Sequence, residues 1–348
     1  MAPVRVLFSD LDGTLAHYEK DMKEYATIVG EPAKDGSVTI EYNQLGVQRE
    51  CAVLGSLSSS TAYMSHETTR LVQTLRAAGV LFVIITGARS STYARRRAAL
   101  PAADYEFFEN GGRMLASGEL VPEWTATFEA DVGPVDASVV PEGDAAPAPA
   151  TRSGKLWDLY REMKEAGWKV DARDYYTSFR VDVAGTTAAG LNAAAFAAWD
   201  LRGFSCSFNL GKADIYPAGS GKAAAAREVL RRHGLRPAHA VAMFDDDNDL
   251  ELGELASRSF LPGATHDSVL DALHRHDNWE ITNSRGVLGT EEALAAVMRL
   301  VAAGDAVEEP PVGDEREPRG GEGDAEGEDV PPAAATAVPV PIESAREQ

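Results

Sequence analysis

The sequence predicts an α/β fold: a doubly wound, mostly parallel sheet into which a small α+β domain is inserted. Predominantly apolar runs at 4–9, 80–85 and 239–244 alternate with helical patterns along the chain. Such runs are typical of strands in a parallel sheet that helices cover on both faces. Four further runs, between residues 168 and 216, alternate apolar with polar residues. That alternation is typical of a sheet with one polar face.

Length and charge restrict the function classes. The chain has 348 residues, of which 44% are hydrophobic, enough for a large core and two domains. Its net charge of −21 argues against nucleic acid or an anionic membrane surface as a partner. Residues 304–348 hold 13 Asp or Glu against 3 Arg and contain few large apolar side chains. We therefore expect 304–348 to form a disordered acidic tail.

Cysteine usage and hydropathy indicate the cellular setting. Cys51 and Cys206 have neither a metal-ligand spacing nor the number that a disulfide framework needs. The N-terminus lacks the apolar segment of a signal peptide, and no run of apolar residues approaches the length of a membrane span. These features predict a cytoplasmic protein and leave its oligomeric state open.

The first part of the core, residues 1–112, is predicted to contain three parallel strands. The strands lie at 4–9, 80–85 and 104–110, and a helix at 65–78 lies between the first two. Ser65 can cap the N-terminus of the helix, and Gly79 can follow its last turn. A hairpin-like pattern within 20–60 predicts an extra flap after the first strand.

Residues 113–213 are predicted to form a linker and an inserted α+β cap. The stretch 131–153 is rich in Pro, Ala and Gly, as a linker is. A helix–strand–strand pattern then occurs twice, so the cap is expected to be one four-stranded sheet packed on two helices. The polar face of this sheet must meet water or a ligand. We expect Arg180, on that face, to contact the non-reacting part of a substrate when the cap closes.

The second part of the core, residues 214–303, is predicted to return to the parallel sheet. A helix begins at Lys222 and ends near Gly234, and the apolar strand 239–244 stops at Asp245. Asp245 opens an acidic cluster that extends to Asp249.

Reactive side chains follow three of the predicted strands, at the point where each strand ends. Asp10 and Asp12 follow the first, Thr86 the second, and Asp245 the last. Ligands bind beyond the carboxyl ends of parallel strands, so we expect these residues to converge. Several carboxylates in one pocket repel each other unless a cation is present, and oxygen ligands without nearby His or Cys favour Mg²⁺. Such a site suits a phosphoryl group.

The same residues resemble the motifs of a known family. The stretches DLDGT (10–14), ITG (85–87), GSGKAAAA (219–226) and FDDDND (244–249) are similar to the four motifs of the haloacid dehalogenase superfamily of phosphatases. The resemblance covers about residues 3–300 apart from the linker and the flap. An insertion between the second and third motifs resembles that superfamily's C2-type cap, as in its Cof-type, sucrose-phosphatase-like and phosphomannomutase-like branches. The resemblance of the four motifs implies that the core has the Rossmannoid fold of the haloacid dehalogenase superfamily.

The resemblance implies a catalytic role for four residues. Asp10 would be the nucleophile that forms an aspartyl-phosphate. Asp12 would protonate the leaving alkoxide and then activate water. Thr86 would donate a hydrogen bond to a phosphate oxygen, and Lys222 would neutralise Asp10 and the phosphoryl group.

The resemblance also implies a metal site and a substrate site. Asp10, the carbonyl of Asp12, Asp245 and Asp249 would hold Mg²⁺. Because three aspartates are consecutive, Asp246 remains the alternative to Asp245. The matching positions implied to bind the substrate are Gly87, Asn110 and Asn248.

The predicted function is therefore Mg²⁺-dependent hydrolysis of a small organic phosphomonoester, with a sugar phosphate favoured. The partner is a small phosphorylated metabolite. A phosphosugar mutase would share the covalent chemistry but return the phosphoryl group to sugar. A catalytically silent domain that binds phosphate ligands or partners is the alternative outside enzymes.

Two groups near the motifs are predicted to lie outside the site. The run Arg95–Arg97 is expected to form a solvated helix face. His17 is expected at the surface, because the histidines show no metal-ligand spacing.

Overall fold

The structure is a computed structural model that describes residues 2–55, 61–135, 148–209 and 212–305. Most of the predicted acidic tail, from residue 306 onward, lies outside the described residues. The middle of the predicted linker, 136–147, also lies outside them.

The strands of the described residues belong to three sheets. In chain order they are β1 (Val6–Ser9), β2 (His17–Tyr18), β3 (Ala26–Val29), β4 (Val38–Tyr42), β5 (Val47–Leu54), β6 (Ala62–Ser65), β7 (Leu81–Ile85), β8 (Tyr105–Phe108), β9 (Arg113–Ala116), β10 (Glu119–Leu120), β11 (Val170–Asp171), β12 (Phe179–Asp182), β13 (Ser205–Asn209), β14 (Lys212–Tyr216), β15 (Ala240–Met243), β16 (Arg258–Leu261) and β17 (Trp279–Ile281).

The α-helices lie between these strands or at the end of the described chain. In chain order they are α1 (Glu19–Met22), α2 (His66–Ala77), α3 (Ser90–Arg97), α4 (Pro122–Ala126), α5 (Glu129–Val132), α6 (Lys155–Ala166), α7 (Ala193–Ala197), α8 (Lys222–Arg232), α9 (Leu250–Leu255), α10 (Asp267–Arg275) and α11 (Gly286–Asp305). Single 3-10 turns occur at Pro149–Thr151, Pro237–His239 and Asp247–Asp249.

The largest sheet has the strand order β10-β9-β8-β7-β1-β15-β16-β17. The six strands from β8 to β17 in this order run parallel, and β9 and β10 add an antiparallel edge. Val6 and Phe8 enter one apolar cluster, whereas Leu7 enters another on the opposite face. Both faces of β1 are therefore covered, which confirms the predicted doubly wound, mostly parallel α/β core.

The predicted helix at 65–78 forms as α2, and its ends have the expected caps. The Ser65 hydroxyl accepts a hydrogen bond from the Thr68 backbone N–H, and Gly79 follows the helix with a φ of 81°. Only glycine takes such a left-handed conformation at little cost. The helix thus ends where the next strand, β7, can begin.

The flap between β1 and β7 is larger than a hairpin. It is an antiparallel sheet in the order β2-β6-β5-β4-β3, and its β4–β5 hairpin lies where the sequence pattern predicts one. Ile40 and Tyr42 pack with Val287 and Leu288 of α11. The Tyr42 hydroxyl also donates to the Arg285 carbonyl at 2.8 Å. These contacts hold the flap sheet against the core.

The cap contains the expected doubled helix–strand–strand unit. Its strands form an antiparallel sheet in the order β11-β12-β14-β13, with α6 and α7 preceding the two strand pairs. Two borders lie further along the chain than 112 and 213. Residues 113–120 extend the core sheet as β9 and β10, because the turn after β8 reverses the chain. The cap sheet continues to Tyr216, because β14 pairs with both β12 and β13.

None of the helices in the described residues combines the length and the apolar composition that a bilayer crossing requires.

Candidate active site

The site lies at the carboxyl edge of the parallel sheet. Asp10 directly follows β1, and its backbone N–H donates to the Met243 carbonyl at the end of β15, at 2.9 Å. Asp245 is two residues beyond Met243, so parallel pairing of β1 with β15 places both carboxylates at one edge. Thr86 follows β7, the other neighbour of β1. The predicted convergence of strand ends is present in the structure.

Lys222 is the centre of the buried cluster. Its ammonium donates hydrogen bonds to Asp249 Oδ2 at 2.8 Å and to Asn248 Oδ1 at 3.0 Å. It also forms ion pairs with Asp10 Oδ1 at 2.8 Å and with Asp249 Oδ1 at 2.7 Å. Burial would lower the pKa of Lys222, but the carboxylates of Asp10 and Asp249 outweigh it and raise the pKa. The lysine stays charged and holds the first, third and fourth motifs together.

Asp245 lies against the turn that follows Asp10. The Thr14 hydroxyl donates to Asp245 Oδ1 at 2.9 Å. Gly13 has a φ of 86°, and a Cβ at that position would lie 2.0 Å from Asp245 Oδ2. Glycine is therefore required at position 13, both for the left-handed turn and for the close approach of the Asp245 carboxylate.

The charge around Asp245 is unbalanced. Burial, together with the negative charges of Asp10, Asp246 and Asp249, raises the pKa of Asp245 well above the usual carboxyl range. Buried carboxylate oxygens that lack a cationic partner are the ligand type that Mg²⁺ prefers. The donor set therefore fits a divalent cation.

One oxygen of Asp246 contacts a different set of residues. Its Oδ1 accepts hydrogen bonds from the Asp247 backbone N–H at 2.8 Å and from the Thr265 hydroxyl at 2.9 Å, and lies 2.6 Å from His266 Nδ1. The structure thus places Asp245, and not Asp246, beside Gly13 and Thr14. Asp246 and Asp247 form a separate group with His266.

Asp12 has a different environment from the buried cluster. Its side chain is 30% exposed, and its Oδ1 accepts hydrogen bonds from the Tyr18 hydroxyl, at 2.7 Å, and from Arg96 Nη1. Burial and the adjacent Asp12 charge raise the pKa of Tyr18, so the phenol stays protonated and donates.

The expectation that Arg95–Arg97 form a solvated face was wrong for Arg96. Arg95 is exposed, and the Arg97 side chain keeps 38% exposure while it pairs with Glu106 at 2.9 Å, but Arg96 is buried against Asp12. Successive helical residues point about 100° apart, so three in a row cannot share one solvent-facing side. Sequence reasoning missed Arg96, and charge alone gave no signal that it lies inside.

The expectation that His17 lies at the surface was also wrong. His17 is buried, and its Nε2 lies 2.7 Å from the Thr290 hydroxyl. Burial lowers the pKa of His17 to about 4, so the imidazole is neutral at physiological pH. The Thr290 hydroxyl also donates to the Thr14 carbonyl at 2.5 Å. His17 therefore supports the turn that carries Thr14.

Thr86, Gly87 and Asn110 form the other side of the site. The Thr86 hydroxyl accepts from the Ala88 backbone N–H at 3.1 Å, and the Asn110 N–H donates to the Thr86 carbonyl at 3.1 Å. A Cβ on Gly87 would lie 2.9 Å from Asn110 Oδ1. The amide Nδ2 of Asn110 is buried and has no hydrogen-bond partner among the described residues. Such a donor is suited to an anionic ligand.

Arg180 lies on the cap and does not join the Lys222 cluster. Its guanidinium donates to both carboxylate oxygens of Asp214 at 2.5 and 2.6 Å. Asp214 is buried although it lies on the polar face of the cap sheet, so the middle of that face is covered.

Glu109 fastens the cap to the core, and sequence reasoning missed it. Its buried carboxylate accepts from the backbone N–H groups of Tyr176 and Thr177 at 2.8 and 2.7 Å and from the Thr177 hydroxyl at 2.9 Å. It also accepts a hydrogen bond from the Ser90 hydroxyl. A charged hydrogen-bond acceptor between two domains restrains the cap where it meets the core.

Comparison with known proteins supports the fold. No family model and no curated protein matches the chain. Among solved structures, it is similar to the sucrose-phosphatase of Synechocystis sp. PCC6803 in complex with sucrose and phosphate, with a TM-score of 0.52 and 13% identity over 86% of this chain and 98% of that one. A protein of Thermoplasma acidophilum matches with a TM-score of 0.50 and 14% identity over the same shares. The resemblance in the motifs is thus confirmed for the fold: the chain has the haloacid dehalogenase-like fold, with a C2-type cap between the second and third motifs.

Proposed function

We propose that the chain is a Mg²⁺-dependent phosphatase that hydrolyses a small organic phosphomonoester through an aspartyl-phosphate on Asp10. The observation that supports it most is the Lys222 cluster. One buried ammonium there holds Asp10 and Asp249 beside Asp245, at the sheet edge where α/β proteins bind ligands.

The metal would be held by the carboxylates of Asp10, Asp245 and Asp249 and by the carbonyl of Asp12. Asp245 is favoured over Asp246 because three neighbouring groups already engage Asp246. When bound, Mg²⁺ would neutralise charge on the phosphoryl oxygens.

The reaction follows from the protein groups around Asp10. An Asp10 carboxylate oxygen attacks phosphorus, and the bond from phosphorus to the alcohol oxygen breaks. Asp12 gives its proton to the departing oxygen, then takes a proton from the water that attacks the aspartyl-phosphate. That second attack releases inorganic phosphate and restores Asp10. The Thr86 hydroxyl, the Asn110 amide and Lys222 bind the phosphoryl oxygens during both steps.

A sugar phosphate is the favoured substrate class. The cap carries Arg180 on its polar face, and the guanidinium, whose side chain keeps 27% exposure, is suited to a sugar hydroxyl group. The Synechocystis structure, similar in fold, holds sucrose and phosphate. Gly87 leaves room beside Asn110, and Asn248 lies next to Lys222, so both belong to the proposed substrate site.

A phosphate-release screen over many phosphorylated metabolites with Mg²⁺ tests this function. Asp10→Asn should abolish release, because the uncatalysed reaction is so slow that enzymes accelerate it by up to about 10²¹-fold. Asp21→Asn, an exposed carboxylate of the flap, is the matched control and should retain activity. Release from no substrate, or equal release by Asp10→Asn, would refute the proposal. Analysis of the sugar product would reveal an isomer if the chain were a mutase.

A further inference from the structure

Two hydrogen bonds hold one oxygen of Asp12. Both the Tyr18 hydroxyl and Arg96 Nη1 donate to Oδ1. Asp12 is 30% exposed, whereas the Arg96 side chain is only 1% exposed. An exposed carboxylate would otherwise turn about two bonds, and a fully buried guanidinium restrains that motion.

Arg96 links Asp12 to the flap sheet at two further points. Its Nη2 donates to the Tyr18 hydroxyl at 2.9 Å, and its Nε donates to the Gly55 carbonyl at 3.3 Å. Tyr18 ends β2 and Gly55 follows β5, so both partners belong to the flap. The planar, forked guanidinium of arginine can satisfy three such acceptors at once, which the single ammonium of lysine cannot do in the same geometry.

We propose that Arg96 and Tyr18 are positioning residues for Asp12. By occupying Oδ1 they leave Oδ2 as the oxygen that exchanges protons with the leaving alcohol and then with water. A proton is transferred only within hydrogen-bond reach, so the orientation of this carboxylate affects both chemical steps. The flap thereby acts on the reaction through these two side chains. This inference rests on the proposed phosphatase function.

The dependence of the rate on the leaving group distinguishes positioning of Asp12 by Arg96 and Tyr18 from a general structural role of these two residues. A sugar alkoxide needs a proton as it leaves, whereas p-nitrophenolate departs as a stable anion without one. If Asp12 is misplaced, transfer of the phosphoryl group to Asp10 should therefore be slower for the sugar phosphate but not for p-nitrophenyl phosphate. The second step needs Asp12 for both substrates, because water must lose a proton. With p-nitrophenyl phosphate, the aspartyl-phosphate should accumulate and one equivalent of nitrophenol should appear as a burst.

The experiment compares Arg96→Gln and Tyr18→Phe with the wild type on the sugar phosphate that the screen identifies and on p-nitrophenyl phosphate. General acid–base catalysis contributes about 10²–10⁴-fold, so we expect Arg96→Gln to lower kcat on the sugar phosphate by about 100-fold with little change in KM. Tyr18→Phe removes one of the two donors and should lower kcat by about tenfold. Both variants should show the nitrophenol burst.

Arg97→Gln is the matched control, because it removes an ion pair of the same helix that does not involve Asp12. Arg97→Gln should have the kcat of the wild type and, like the wild type, should show no nitrophenol burst. If Arg96→Gln does not fold, as judged by its thermal midpoint and circular dichroism, Tyr18→Phe decides the test because it removes only a hydroxyl.

Three results would overturn the inference while the phosphatase function stands. They are an unchanged kcat in Tyr18→Phe, an equal fall on both substrates without a burst, and a rise in kcat, which would mean that the bonds hold Asp12 away from the substrate. Failure of the function itself looks different, because the wild type would then release no phosphate or Asp10→Asn would remain active.

Discussion

The Lys222 cluster and the Arg180–Asp214 pair both contain buried carboxylates, but the charges balance in only one of them. In the cap, one guanidinium bonds both oxygens of one carboxylate. At the sheet edge, one ammonium faces Asp10 and Asp249, with Asp245 beside them. Unpaired charge is costly in a low-dielectric interior. The cap pair is therefore complete without a ligand, whereas Asp245 in the edge cluster lacks a cationic partner, which the proposed Mg²⁺ would supply.

The largest expected effect is on the free energy of unfolding when one charged residue is removed from the Lys222 cluster or from the Arg180–Asp214 pair. Lys222→Met leaves two buried carboxylates facing each other, so we expect the free energy of unfolding to fall by about 3–5 kcal/mol without metal. Asp214→Asn leaves Arg180 with a weaker acceptor, and because the Arg180 side chain keeps 27% exposure we expect a smaller fall of about 1–3 kcal/mol. Urea denaturation measures both.

The control for Lys222→Met is Lys155→Met. Lys155 also begins a helix after a glycine, but its side chain is 71% exposed. A surface change of this kind should stay within about 0.5 kcal/mol. Added Mg²⁺ should restore part of the stability lost in Lys222→Met and none of that lost in Asp214→Asn. Equal responses to Mg²⁺ would remove the distinction between the two groups.

Arg180→Ala tests whether the cap pair also serves the substrate. A hydrogen bond to a charged group contributes about 1.5–3 kcal/mol, so we expect KM for the sugar phosphate to rise at least tenfold while kcat changes little. Lys169→Ala is the control, since Lys169 lies on the same face but pairs with Asp182 and is 63% exposed. If KM and selectivity are the same in Arg180→Ala and the wild type, the pair is structural only.

The smallest expected effect is a pH dependence of stability without metal. Because the pKa of Asp245 is raised in the folded state, the folded chain binds more protons than the unfolded chain above the ordinary carboxyl pKa. Its contribution to stability is therefore present at low pH and is lost as pH rises through the raised pKa. In EDTA, the thermal midpoint of the wild type should therefore fall relative to that of Asp245→Asn as pH rises above the ordinary titration range of exposed carboxylates. The buried His17 contributes an opposite dependence, but it does so equally in both proteins.

Asp245→Asn should weaken this dependence without abolishing it, because the raised pKa values of Asp10 and Asp249 act in the same direction. Saturating Mg²⁺ should reverse it, since the cation binds the ionised form. A wild-type midpoint in EDTA that depends on pH to the same extent as that of Asp245→Asn would contradict the assignment of unbalanced charge to Asp245.

The sheet and the placement of its reactive residues were predictable from local sequence. Apolar runs end at Asp10, Thr86 and Asp245, and parallel pairing brings strand ends to one edge whatever their separation along the chain. The alternation of apolar and polar residues likewise predicted the cap sheet. These features depend on periodicity and topology, which a single sequence contains.

The groups that restrain the site were not predictable in the same way. Whether Arg96 faces solvent or Asp12 depends on how α3 packs against the flap, and three consecutive arginines look alike in sequence. Glu109 reaches the cap because it and Asn110 both have a positive φ of 54°, which turns them out of the strand. The sequence predicts that the linker and cap begin at residue 113, because the turn at 109–112 resembles the end of a strand and not the start of a hairpin.

Titration of Mg²⁺ by calorimetry into the protein without substrate tests the central claim most directly. The wild type should bind the cation, and Asp245→Asn should weaken binding by more than about 100-fold, because even groups behind a metal ligand are worth about 10–100-fold in affinity. Asp246→Asn, whose carboxylate is bonded to Thr265 and lies beside His266, should change affinity by less than about tenfold. Absence of Mg²⁺ binding by the wild type, or loss of binding in Asp246→Asn with retention in Asp245→Asn, would contradict the account.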